Sequence, residues 1–251
     1  MSIWWPAVIP GVGLLLATHF LLHSMRVERA IKRRRYAEAL KMLDGPLSWS
    51  LASLLRFQRA EALFYSGRAA EAEPILRELV EPLRKPADRL MGSEGLGRVL
   101  LALGRYPEAR QAFETAAGIA PTRPVAFSGL AELRLLQGED PGLALADAER
   151  ALENHRGTTT LSRSRKRVAA IRGNQAWALA ALGRGAESEQ AIQAGEREMD
   201  PEHAPEAAGF YWRAGMAMLA IHHSSAAGYF RKAVELDPQG YYGGLAAARL
   251  S

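Results

Sequence analysis

The sequence contains no cysteine. Disulfide staples, thiol catalysis, iron–sulfur clusters and sulfur-built zinc sites are thereby excluded. Histidine is scarce, with six in 251 residues. There is no P-loop, GxSxG elbow, HExxH pair or dinucleotide fingerprint, so no catalytic residues are expected, and neither a cofactor nor a metal. Aromatic residues make up 8%. Apolar residues at 48% and charged residues at 24% are ordinary for a folded chain, which rules out bulk disorder and a many-pass membrane protein. The length suits one or two domains. Lys plus Arg exceed Asp plus Glu by 32 to 27, a net charge of +5, and where that excess sits matters more than its size.

One long uncharged run is present. Ile3 to Leu22 is twenty residues without a charged side chain. A membrane-crossing helix needs about 20 mostly apolar residues at 1.5 Å rise each. Trp4 and Trp5 stand at one end, where indole rings favour the membrane–water interface. Pro6 and Pro10 predict that the regular helix starts only near Pro10. Arg26, Arg29, Lys32, Arg33, Arg34 and Arg35 follow directly. From Ser24 to Leu47 there are seven basic and three acidic residues, a local +4. By the positive-inside rule the carboxyl-terminal side stays cytoplasmic. Each Lys or Arg beside the bilayer gains about 1 kcal/mol from anionic lipid. The bland alternative is a buried helix of a soluble fold.

The rest of the chain repeats itself. Helix ends recur as Leu-Phe-Tyr-Ser-Gly67, Leu-Leu-Ala-Leu-Gly104, Leu-Arg-Leu-Leu-Gln-Gly138 and Leu-Ala-Ala-Leu-Gly183. Gly67 and Gly104 are 37 apart, Gly104 and Gly138 are 34 apart, and Gly138 and Gly183 are 45 apart, one period plus an insert. The clearest unit runs from Leu90 to Arg123, with Leu96, Gly97, Leu100, Tyr106, Ala109, Phe113, Ala116 and Pro121. The last carries Phe210, Ala214, Ala226, Phe230, Ala233 and Pro238. This spacing resembles the tetratricopeptide repeat (TPR), a helical hairpin of 34 residues. Ala60, Gly97, Ala131, Ala176 and Ala214 would mark the close helix crossing on the first helices. Ala72, Ala109, Ala144, Ser188 and Ala226 would mark it on the second helices. Gly at the turn supplies a left-handed cap.

The expected fold is all-α: an N-terminal transmembrane helix followed by a right-handed TPR solenoid. Residues 1–25 form the anchor, and 26–52 a basic juxtamembrane segment with a degenerate first repeat. Residues 53–240 hold five repeats with a basic insert near 154–168, and 241–251 form a capping helix.

The resemblance implies binding of protein partners along the concave face. Its repeat pattern turns Phe57, Phe64, Tyr65, Arg98, Leu101, Glu132, Asn174, Trp177, Tyr211 and Trp212 toward that groove. Exposed aromatic patches of this kind bind something. Alternatively the rings pack within the stack or under the chain's own ends. Some TPR domains clamp a terminal carboxylate with Lys, Asn and Arg; Asn174 alone matches, so that clamp is not expected.

From Asn154 to Ala186 there is no acid, while Arg163, Arg165, Lys166, Arg167 and Arg172 cluster. This basic patch reads either as a docking site for acidic protein surfaces or anionic lipid, or as a solvated face. No aromatic is interleaved with the arginines, which argues against nucleic acid. His19 and His23 are four apart on one helix, yet two histidines without a third ligand make a weak metal site. His222 and His223 fall in a turn. The function expected is a single-pass scaffold of the bacterial inner membrane, its solenoid cytoplasmic, that gathers partners into a membrane or envelope complex. A stable accessory subunit of a large membrane complex, such as an energy-converting one, is the alternative.

Overall fold

The structure, a computed structural model, describes residues 5–44, 53–82, 84–156, 165–200 and 202–251. Thirteen helices and no strand occur among these. They are α1 (Trp5–Lys32), α2 (Tyr36–Leu43), α3 (Ser53–Tyr65), α4 (Ala69–Leu79), α5 (Pro86–Ala102), α6 (Tyr106–Ile119) and α7 (Pro124–Gln137). Then come α8 (Pro141–Arg156), α9 (Arg165–Ala181), α10 (Gly185–Glu198), α11 (Ala204–Ala220), α12 (Ala226–Leu236) and α13 (Tyr241–Ala247). Consecutive helices pair into antiparallel hairpins, each packed on the next, which makes a solenoid.

Local chemistry sets the punctuation. Gly67, Gly104, Gly138 and Gly183 all turn at positive φ, between 66° and 78°, after the first helix of a hairpin. A Cβ is strained there, and glycine has none. The same turn is made by His222 at φ 54° before α12 and by Arg34 at φ 60° before α2. The last turns of α1 therefore form a hairpin with α2. Pro86, Pro124 and Pro141 open α5, α7 and α8, where a missing N–H is harmless.

The crossing residues are buried as the pattern requires. Ala60, Ala131, Ala176 and Ala214 are buried on the first helices; Ala72, Ala109, Ala144 and Ser188 are buried on the second. Ser188 Oγ donates to the Ala176 carbonyl at 2.8 Å, which satisfies its hydroxyl in the crossing. Phe113 wedges between Gly97 of its own hairpin and Gly129 of the next. A Cβ on either would lie 2.5 or 2.4 Å from the Phe113 ring. Small and large residues interlock across the stack in this way.

α1 behaves as two pieces of one helix. Ser24, Val27, Ala30 and Ile31 are buried against the neighbouring helices. Leu15, Leu21, Leu22 and Met25 are exposed at 71%, 59%, 55% and 48%. The helix begins at Trp5, earlier than the prolines suggest, with Pro6 in its tolerant first turn. Among the described residues no helix is long and apolar enough to cross a membrane. The side chains of 5–14, most of the apolar run, lie outside the described residues, as does Trp4. The insert's segment 157–164, with Arg163, also lies outside them.

The outer surface carries ion pairs that bridge neighbouring hairpins. Glu73 on α4 accepts from Arg77 and from Arg105 before α6, and Glu108 accepts from both arginines. Exposed pairs of this sort contribute about 0–1 kcal/mol each and chiefly keep the outer face charged.

Candidate functional site

The solenoid curls until its ends meet. Lys32 at the end of α1 pairs with Asp200, before α11, at 3.0 Å. The Arg34 guanidinium donates to the Glu235 carbonyl at 3.4 Å. The Tyr36 hydroxyl donates to Asp237 at 2.8 Å. Inside this closure the first helices α3, α5, α7, α9 and α11 surround a filled interior.

Its contents are polar and aromatic. Arg213 on α11 donates to Glu132 on α7 at 2.6 Å and to the Tyr242 hydroxyl on α13 at 2.8 Å. Burial opposes the Arg213 charge, but Glu132 and Tyr242 outweigh it and hold the guanidinium protonated. Arg98 on α5 pairs with Glu61 at 3.3 Å and lies over the Phe64 ring at 5.0 Å. Burial would lower its basicity, yet Tyr65, Glu61 and Glu206 raise it overall. Tyr65 donates a short hydrogen bond to Glu206. Burial, with Glu206 beside it, pushes the Tyr65 phenol up. Burial alone would raise the Glu206 carboxyl, but His203, Arg167 and Arg98 hold it low. A cavity of about 50 Å³ remains between Tyr65, Arg98, Glu132, Glu206, Arg213 and Tyr242.

The residues expected along an open groove are therefore mostly interior. Phe57, Phe64, Tyr65, Leu101, Glu132, Asn174, Trp177 and Trp212 are buried, and Arg98 and Tyr211 are partly so. Phe64, Tyr65, Arg98, Glu132, Trp177 and Trp212 do come together. Trp177 and Trp212 meet edge to face at 5.6 Å. Asn174 is turned to α7, where its amide donates to the Ser128 carbonyl at 2.9 Å. Phe57 packs beside Gly95 between hairpins. Tyr211 turns to its own partner helix, stacked on Tyr229 at 6.2 Å with Lys232 over it. The difference is one of exposure: α13 covers Phe64 and Trp212, and the other rings pack within the stack.

The basic clusters divide as well. Arg167 points inward and pairs with Glu61 at 3.6 Å. Arg172 pairs with Glu198 at 3.1 Å. Two members of the expected patch thus have carboxylate partners in different places, and the side chains of Arg165 and Lys166 lie outside the described residues. A surface hollow of about 410 Å³ opens beside Arg172, between Leu152, His155 and Met199. Arg26, Arg29, Arg33, Arg34 and Arg35 are exposed along the base of α1. Lys32 and Arg34 reach the other end of the solenoid, at Asp200 and the Glu235 carbonyl. Of the histidines, His19, His222 and His223 are exposed and His23 is half-buried. The spacing did not single out Arg213, Asp237, Tyr241 and Tyr242. Only Arg213 carried a usable signal, one step from Trp212 on a first helix.

The tetratricopeptide repeat family model matches residues 57–124, from within α3 to the start of α7. The chain is also similar over 90% of its length to a chain of the APC/C hetero-tetramer Cut9–Hcn1, at 16% identity and a TM-score of 0.57. The fold is a TPR-type solenoid. A second likeness is to the apo form of the quorum sensor NprR from B. thuringiensis, at 14% identity and a TM-score of 0.54, over 88% of this chain. The chain spans 39% of the first structure and 66% of the second, so the likeness is one of TPR architecture. No curated protein matches the sequence.

Proposed function

We propose that the chain is a membrane-tethered TPR scaffold that binds protein partners to assemble or organise a bacterial membrane or envelope complex. The observation that carries this reading is the build of α1. One continuous helix joins the uncharged run to the first hairpin, and it leaves Leu15, Leu21 and Leu22 exposed. Apolar side chains in such a row need lipid or another helix to cover them. Arg26, Arg29, Arg33 and Arg35, exposed at or just past the base of the same helix, favour a cytoplasmic solenoid beside an inner membrane. No flexible linker separates helix from hairpin, so the tether confines the solenoid to the bilayer surface and raises its effective concentration near membrane partners.

The same exposed leucines suit a second reading, in which α1 packs against helices of a large membrane complex and the chain is a permanent accessory subunit. Purification of the carboxyl-tagged full-length protein from native membranes in mild detergent, with mass spectrometry, separates the two. Varied substoichiometric clients are expected for the scaffold. A fixed-ratio set of membrane proteins would replace it with the subunit reading, and a protein recovered alone would sink both.

A further inference from the structure

The groove is filled by the chain's own terminal helix. Tyr241 and Tyr242 of α13 meet Phe64 of α3 at ring distances of 5.1 and 6.4 Å. Tyr242 also lies against Trp212 at 5.9 Å and under the Arg213 guanidinium at 4.8 Å. Outside this aromatic cluster, three polar links across the closure come from the turn at residues 32–36, and further in Tyr65 of α3 donates to Glu206 of α11 and Arg167 of α9 pairs with Glu61 of α3. The two ends pack far less extensively on each other than successive hairpins do.

Two features mark the filling as reversible. The interior is rich in guanidinium, carboxylate and phenol groups, which water solvates readily, whereas an apolar interior resists wetting. Hydrogen-bonding capacity is also left over: Arg98 Nε, Glu132 Oε1, Asn174 Oδ1 and Arg213 Nε are buried without a protein partner. A buried polar atom without a partner costs free energy, and an incoming main chain relieves that cost. The turn at Asp237–Gly240 directs α13 toward the groove from beside the latch residue Asp237. Gly240 and Gly243 let the loop fold onto Asp237, since a Cβ on either would lie 1.8 Å from an Asp237 oxygen.

We infer that the solenoid is autoinhibited: the Tyr241–Tyr242 pair occupies the groove, the 32–36 turn latches it shut, and a protein partner enters with an aromatic pair that displaces α13. Only the last step rests on the protein-partner reading. The chemistry of the displacing segment follows from what α13 now supplies. It offers two adjacent rings for Phe64 and Trp212 and a hydroxyl acceptor for Arg213. The latch lies at the base of α1, so the helix proposed to meet the membrane also holds the groove closed.

The absence of cysteine makes the test direct. Spin labels at Lys41→Cys on α2 and Arg231→Cys on α12 flank the latch in the full-length protein in detergent. One narrow distance is expected for the parent. Tyr36→Phe with Asp237→Asn, and separately Tyr241→Ala with Tyr242→Ala, are expected to lengthen and broaden it. A labelled peptide of residues 237–251 is expected to bind these variants at least ten-fold more tightly than the parent. Parent-like distances and no peptide uptake in both variants would overturn the inference and make α13 a fixed cap. Should the tyrosine variant lose helical circular dichroism, the latch variant decides alone. If the variants open and take the peptide while native membranes yield no partner, reversible closure of the groove by α13 stands and the partner reading falls.

Discussion

Tyr36 and Asp237 stand 201 positions apart in the chain, and the hydroxyl of one donates to the carboxylate of the other at 2.8 Å. Burial pushes the Asp237 carboxyl up to about 6, against the pull of the Tyr36 hydrogen bond and the Arg34 charge. An unfolded Asp titrates at about 3.9. The folded chain therefore holds this proton more tightly, and the resulting stability is complete below about 3.9 and lost as pH rises through about 6. Melting curves of parent and Asp237→Asn should diverge between pH 4.5 and 7.5, the parent gaining relative stability as the solution is acidified. Curves that stay parallel would show that Asp237 does not titrate in this window.

The Arg213–Glu132 pair is buried on both sides. Removing one partner leaves an uncompensated charge, so Arg213→Ala and Glu132→Ala should each cost about 3–5 kcal/mol. Arg213→Met with Glu132→Leu should cost less than either single change. Denaturant midpoints followed by circular dichroism measure all three, and strict additivity would show that the two side chains do not act as a pair.

Gly97 faces the Phe113 ring, where an added methyl group would sit at 2.5 Å. Gly97→Ala should destabilise by about 1–3 kcal/mol through overpacking. Gly118 on α6 faces open space, so Gly118→Ala should be neutral or stabilise by up to about 1 kcal/mol. Thermal melts of the two variants should move in opposite directions or, at the least, differ clearly. Equal shifts would contradict the interlocked packing at Phe113.

Leu15 lies within the uncharged run and is the most exposed of the large apolar residues described. An arginine inside a membrane helix costs about 2.5–3.5 kcal/mol on the insertion scale. Leu15→Arg should shift part of the protein out of the carbonate-resistant membrane pellet, while Arg33→Glu should leave the pellet intact. A parent protein released by carbonate alone would end the membrane reading.

Much of this architecture was legible in residue order because its causes are local. Glycine caps, proline starts and the small residues at each helix crossing act within a few turns, so spacing alone locates the hairpins. The inward face was legible too, since helical period sets which side chains share a face. Phe64, Tyr65, Arg98, Glu132, Trp177 and Trp212 do converge. Whether that face would be open was not legible. Closure depends on a small rotation repeated from hairpin to hairpin, and no single contact encodes the sum. Tyr36 meets Asp237, Lys32 meets Asp200 and Tyr241 meets Phe64 only because that accumulated rotation brings the two ends together. Two members of the expected arginine patch are split for a related reason: Arg167 and Arg172 are five apart, and their helix sends one to Glu61 inside the ring and the other to Glu198 on the outer layer. Sequence by itself determined the repeat, its turns and its apolar leader, since each is a property of neighbouring residues. The tertiary structure alone decided that the groove is occupied, because that is a property of the whole curve.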